Sequence, residues 1–321
     1  MSRPVPLRRL TAGLGAATLL ALAGCQTSGG GARPAAAGAA PMSVLTGTLS
    51  ALSGGGGGTG GGGAAILDLV GGAQASLKDY TAEEQRKLGT EFSAVLLGAR
   101  PLLRNDAVQR YVNQVGYWVA LQADRPKDKD GREINFAWRF GVIDSPAVNA
   151  YATPGGFVFV TAGLLKKLDS EAELAGVLGH EIAHVVQGHY LAAIKKGGFS
   201  QIAGGVVRAK TGDNAVSSTV VNAVRNIYAR GLDQADEFDA DRQGMLYAAR
   251  AGYAPGGLPS VLKMYAAAGS ASDANYQLLF STHPNPNDRA ARLAPLLSGK
   301  FAQAGRVGNE GRYLAIRKLL P

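Results

Sequence analysis

Apolar positions recur along this chain at two spacings, and the spacing sorts its elements. After Ser170, Leu174, Leu178, Ile182 and Val185 follow one another at three and four residues, the period of a helix with one buried face. Ser170 followed three positions later by Glu173 reads as a capping box, and "EAELAGVLG" is rich in helix formers. One helix is therefore predicted from about Glu171 to about Ile194, with its other side turned to a cleft. Upstream, "TAEEQRKLGTEFSAVLL" and "DAVQRYVNQVGYWVALQA" predict a pair of helices, and "DRPKDKDGREI" a turn before the strand "NFAWRFGVI". "NAYATPGGFVFV" alternates on both sides of Pro-Gly-Gly, which predicts a hairpin with an exposed edge.

The side of the helix away from the apolar stripe carries chemistry. "GVLGHEIAHVVQGHY" holds three of the four histidines of the chain. A helix advances about 100° per residue, so His180 and His184, four apart, lie on one face and can reach one ion. The spacing is HExxH, in which two imidazoles bind zinc and the intervening glutamate, here Glu181, polarises the metal-bound water. His189 lies nine positions from His180, about 180° around the same helix, and is expected to be structural or solvent-facing.

A catalytic zinc needs a third protein ligand and one open position. The metzincin continuation HExxHxxGxxH would need glycine at 187 and histidine at 190, where this chain has Gln187 and Tyr190. Gly188 and His189 miss that register by one. The third ligand is therefore His283 or an acid, and the best acidic candidate is in "GLDQADEFDADRQG". There Glu237 and Asp241 are four apart on a second predicted helix, so that Glu237 could complete the ligand set and Asp241 could hold a ligating imidazole by a hydrogen bond. Asp233, Asp236 and Asp239 crowd the same stretch, as a solvated acidic face would.

Four segments in this order, "NAYATPGGFVFVTAGLL", "LGHEIAHVVQGH", "DEFDADRQG" and "STHPNPNDRAARL", resemble the HtpX-like and CAAX-prenyl-endopeptidase-like gluzincin metalloproteases. The likeness runs from about Tyr80 to Leu297 and is greatest to their periplasmic lipoprotein type, the β-barrel assembly-enhancing group. It implies an α+β fold, mostly helical, with a small sheet beside the active-site helix. It further implies that His180, His184 and Glu237 bind one zinc, that Glu181 is the catalytic base and that Asp241 supports a ligand. His283 then lies near the metal, steadying the oxyanion or gating the open position. The residues after Leu297 are too few for the tetratricopeptide domain of some relatives.

The implied activity is endopeptidase cleavage of misfolded or unassembled envelope proteins; the alternative is a chaperone that binds them and cuts rarely. An unfolded substrate could add to the hairpin edge as an extra strand at Asn149 and Ala150, gaining affinity without sequence preference.

Composition adds an address. Arg3, Arg8 and Arg9 precede an apolar run, Leu10 to Ala23, that ends in "LAGC", the form of a lipoprotein signal cut before a lipid-modified Cys25. The run is short for a membrane span, which needs about 20 residues. Residues 1–24 read as signal peptide, 25–63 as a lipidated, glycine-rich tether and 64–321 as the protease domain, with its core at 80–297. The resemblance to Gram-negative lipoproteins, in which an aspartate after the cysteine signals inner-membrane retention, implies for Gln26 the inner leaflet of the outer membrane, on the periplasmic side. Cys25 is the only cysteine, so neither an internal disulfide nor a cysteine zinc site can form. Loss of residues 1–24 removes three arginines and no acid, lowering the formal charge from +9 to +6. That mild, dispersed basicity excludes nucleic acid as a partner. Lys195 to Arg230, interrupted by Arg208, Lys210, Asp213 and Asn214, is expected to form a mobile helical lid.

Overall fold

The computed structural model describes residues 77, 79–197, 218–268, 274–301 and 307–321. The proposed signal peptide, the tether, Cys25 and the middle of the expected lid lie outside them. In chain order the elements are α1 (Ala82–Ala99), α2 (Asp106–Ala120), β1 (Arg139–Ile143), β2 (Ala150–Thr153), β3 (Phe157–Thr161), α3 (Ala162–Lys167), α4 (Glu171–Gln187), α5 (His189–Lys196), α6 (Ser218–Arg230), α7 (Gln234–Arg250), α8 (Gly257–Ala267), α9 (Gln277–Thr282), α10 (Pro286–Ser298) and α11 (Glu310–Arg317). The fold is α+β and mostly helical. Among the described residues no helix is long and apolar enough to cross a membrane.

The three strands form one sheet in the order β1-β3-β2. Gly155 and Gly156 take the positive φ of the Pro-Gly-Gly turn, which folds β2 antiparallel onto β3, while β1 runs parallel to β3. The predicted strand 135–143 is shorter in the structure, with only Arg139–Ile143 in the ladder.

Helix α4 forms the axis of the molecule. The Ser170 hydroxyl accepts from the Glu173 N–H at 3.1 Å, while the Glu173 carboxylate reaches past it to the Asp169 N–H at 2.6 Å. Every residue of α4 except Glu173 is buried, because α2, α7, α8 and strand β2 pack around it. The one-sided amphipathic helix of the sequence reading is therefore enclosed on all sides. Nor does it run to Ile194. Gly188 adopts φ +76 and closes the helix with its N–H on the His184 and Val185 carbonyls, and α5 restarts in a new direction at His189.

Helix α7 crosses α4 at backbone contact. A Cβ on Gly179 would meet the Gly244 carbonyl oxygen at 2.5 Å, and one on Gly244 would meet the His180 nitrogen at 2.4 Å, so neither position accepts a side chain. Glu237, Asp241 and Gly244 are spaced four and three apart on α7, hence on one face. The glycine crossing seats that face against the histidines.

At the start of α4 the buried Glu171 carboxylate ties in the C-terminal helix. It accepts from Tyr111 at 2.6 Å, Tyr253 at 2.8 Å and Asn309 at 3.0 Å, and pairs with the Arg312 guanidinium. Burial works to raise its pKa, but these bonds, led by Arg312, outweigh it and hold the carboxyl below its ordinary value. A depressed folded pKa means stability that is present above the unfolded carboxylate value of about 4.3 and is lost as pH falls through the folded one. Glu171→Gln is expected to lower the melting temperature at neutral pH, at a cost of about 1–3 kcal/mol. The gap to wild type should close in acid, which melts recorded from pH 7 down to about pH 3 would reveal.

Candidate active site

His180 projects from the second half of α4 and His184 from its last turn, which the Gly188 N–H closes on the His184 carbonyl. Their Nε2 atoms are 3.0 Å apart. Glu237 comes in from α7, with one carboxylate oxygen 3.6 Å from His180 Nε2 and the other 3.3 Å from His184 Nε2. His283, at the end of α9, places Nδ1 3.0 Å from Glu237 Oε2 and Nε2 3.6 Å from Glu181 Oε1. One ligand atom from each of His180, His184, Glu237 and His283 lies within 4.8 Å of the other three, and all four residues are buried.

This donor set fits a zinc ion. Metal–nitrogen and metal–oxygen bonds of about 2.0–2.1 Å in a tetrahedron require donor–donor separations of roughly 3.3–3.4 Å. The two imidazole nitrogens are 3.0 Å apart, and Glu237 turns a different oxygen to each, Oε1 at 3.3 Å from His184 and Oε2 at 3.6 Å from His180, so the donors lie at about the required spacing. The chemistry agrees with the distances. Asp241 Oδ1 lies 3.0 Å from His180 Nδ1, and a carboxylate can only accept there, so the ring proton sits on Nδ1 and Nε2 presents its lone pair to the cluster. Burial lowers the His180 pKa, which keeps that lone pair free.

Arg289, at the start of α10, is buried among the acids. Its Nε and one terminal nitrogen grip both Asp241 oxygens at 2.7 and 2.6 Å. Its other terminal nitrogen forms an ion pair with Glu237 Oε2 at 2.8 Å, though not with the alignment of a hydrogen bond. Burial alone would raise the Glu237 pKa; His283 and Arg289 outweigh it and hold the carboxylate well below its usual range. Burial is likewise overcome at Asp241, chiefly by Arg289. At His283 burial works to lower the pKa, and the Glu237 charge reverses this and raises it.

Glu181 is buried on the same turn as His180, with the Tyr190 hydroxyl 3.5 Å from its Oε2. Tyr190, Tyr228 and Tyr151 form a ring-to-ring chain beside it, with centroids 6.1 and 5.5 Å apart.

The structure thus brings His180, Glu181, His184, Glu237, Asp241 and His283 together. It treats the hairpin edge differently from the sequence expectation. Strand β2 is at the sheet edge and packs on α4, yet all four of its residues are buried. The Tyr228 hydroxyl of α6 donates to the Ala152 carbonyl at 2.6 Å, and Asn149, itself buried, places Oδ1 on the Ala150 N–H at 2.9 Å. Asn149 and Ala150 are buried, and farther along the same strand Tyr228 of α6 takes the Ala152 carbonyl, so an edge whose alternation looked free is not exposed. Asp236 and Asp239 are also buried, where a solvated face had been the alternative reading.

Sequence reasoning passed over Arg289. Its signal was available in principle: two acids on the inner face of α7 demand a buried cation. Distance along the chain concealed it, since Arg289 stands 48 positions after Asp241. Its neighbour Arg292 instead lies 3.7 Å over the Phe238 ring.

A buried HExxH helix, a glutamate from a second helix and a small sheet alongside define the gluzincin class of metallopeptidases. The chain belongs to Peptidase family M48, whose profile matches residues 106–296. It is 31% identical over 204 residues to the mitochondrial metalloendopeptidase OMA1 of Arabidopsis thaliana, covering 60% of this chain and 40% of that protein. It is 26% identical over 218 residues to the beta-barrel assembly-enhancing protease of Escherichia coli (strain K12), covering 65% and 42%. A shorter segment of 64 residues is 47% identical to the mitochondrial metalloendopeptidase OMA1 of Homo sapiens, covering 20% of this chain and 12% of that protein. The chain spans about two fifths of the length of the first two relatives.

Proposed function

We propose that the protein is a zinc-dependent endopeptidase that cleaves misfolded or unassembled proteins of the cell envelope. The observation that carries the proposal is the convergence of His180, His184 and Glu237 on one buried point, with Glu181 one residue from a ligand. When bound, zinc would supply a Lewis acid that polarises the scissile carbonyl and lowers the pKa of a water to about 7. Glu181 takes the proton from the attacking water and hands it to the leaving amine, a transfer its place on the His180 turn allows. Asp241 and Arg289 hold His180 and Glu237 in position. His283 and Tyr190, both beside Glu181, are the groups placed to steady the developing oxyanion. An extended substrate would pair with the outer edge of β2 after Tyr228 has left the Ala152 carbonyl.

The test is zinc content and casein cleavage by the purified protein. About one zinc per chain is expected, with cleavage lost on chelation and restored by zinc; full activity in chelator would remove the proposal. The lipobox-like "LAGC" supports a lipid anchor at Cys25 and a place at the periplasmic face of the outer membrane. Labelled palmitate should enter wild type and not Cys25→Ala, and equal labelling would remove the anchor.

Two observations favour a second reading, a chaperone that cuts rarely: Tyr228 occupies the Ala152 carbonyl of β2, and His283 lies between Glu181 and Glu237.

A further inference from the structure

His180 has a carboxylate behind it, and the partner behind His184 is a third histidine. Because Gly188 ends α4 in a left-handed turn, His189 does not continue around the helix to the far side. It folds back so that its Nδ1 lies 2.9 Å from His184 Nδ1, with the ring centroids 5.0 Å apart. His189 is 1% exposed, so this contact is inside the protein. It stands outside the metal-binding group itself.

We propose that His189 is a positioning residue for the metal ligand His184, accepting its Nδ1 proton and so fixing the ring with Nε2 toward the ion. The inference rests on the zinc reading of the site. If His184 ligates through Nε2, its one proton is on Nδ1 and needs an acceptor. The only ring atom of His189 within reach is Nδ1, which must then carry a lone pair. The His189 proton is on Nε2, and what faces that atom is acidic: Asp236 Oδ1 at 3.8 Å and Asp239 Oδ2 at 3.9 Å. Both carboxylates favour a proton at Nε2 over one at Nδ1. Neither is at hydrogen-bond distance, and His189 Nε2 and Asp239 Oδ2 are without such a partner among the described residues.

Helix α7 therefore serves both imidazoles. Asp241 holds His180 directly, and Asp236 and Asp239 set the tautomer of the histidine that holds His184. The two ligands are unequal, since a carboxylate acceptor raises ligand basicity more than a neutral imidazole does.

Asparagine and glutamine separate this role from packing. An asparagine at 189 carries its amide oxygen where Nδ1 was; a glutamine carries its amide farther out, near the place of Nε2. Zinc affinity is read by competition with a chromophoric chelator, and the cobalt-substituted protein adds the visible absorption band, which follows ligand geometry. His189→Leu and His189→Gln should each weaken zinc binding by about 10–100-fold and shift the cobalt band. His189→Asn should stay close to wild type in both.

Wild-type affinity in the leucine and glutamine variants overturns the inference, and so does an asparagine variant as weak as they are. If His189→Leu fails to melt cooperatively, the comparison of Gln with Asn carries the same decision. A wild type that takes up no zinc overturns the zinc reading along with this one, whereas zinc bound equally by wild type and all variants overturns this one alone.

Discussion

Glu181→Gln is expected to leave zinc content and the melting curve of the protein unchanged while cutting casein turnover by about 10²–10⁴-fold. Glutamine has the shape of glutamate, so the buried space between His283 and Tyr190 stays filled, and the side chain supplies no metal ligand whose loss could be blamed. What goes is the ability to accept a proton, and general-base transfer is worth about that factor. Turnover at the wild-type rate would exclude Glu181 as the base. The same variant separates the two functional readings. A Glu181→Gln protein that rescues envelope defects as well as wild type means that cleavage is not the task, and the chaperone reading stands. One that fails while still capturing unfolded protein places the function in hydrolysis.

Arg289→Leu should be among the most destabilising single substitutions in the chain. It leaves Asp241 and Glu237, both at or near complete burial, without their cation. Breaking a buried pair by removing one partner costs about 3–5 kcal/mol, because the charge that remains is neither solvated nor compensated. Denaturant unfolding of chelator-treated protein measures this directly. Added zinc should return part of the loss, since a cation in the cluster compensates Glu237 directly but leaves Asp241 with only its hydrogen bond from His180 and no counter-charge of its own. A loss below about 1 kcal/mol would show that the two acids are satisfied by other groups.

The elements that could be read from residue order were those whose cause is local. Helical spacing with a serine cap marks α4, and alternation around Pro-Gly-Gly marks β2 and β3; each depends on neighbours within a few residues. The same is true of the paired imidazoles of HExxH and of Glu237 with Asp241, where four-residue spacing puts two side chains on one helix face before any packing occurs. Gly188 was visible too, but whether a glycine ends a helix or sits inside one is decided by what the following segment can bury. Here Tyr190, Leu191 and Ile194 reach the core only if the chain turns, and that turn carries His189 back to His184.

What only the tertiary structure decided are relations between segments far apart in sequence. The crossing of Gly179 and Gly244 determines how closely the two halves of the donor set approach, and it depends on two backbones meeting, which no spacing within either helix encodes. The arrival of Arg289 between Glu237 and Asp241, and of Tyr228 on the Ala152 carbonyl, likewise requires helices α10 and α6 to be docked first. The sequence by itself determined which residues could do the chemistry, because helix and strand geometry set side-chain direction locally. Burial, charge compensation and access to the β2 edge were left to packing, where each buried polar group takes whatever partner the docked elements bring within reach.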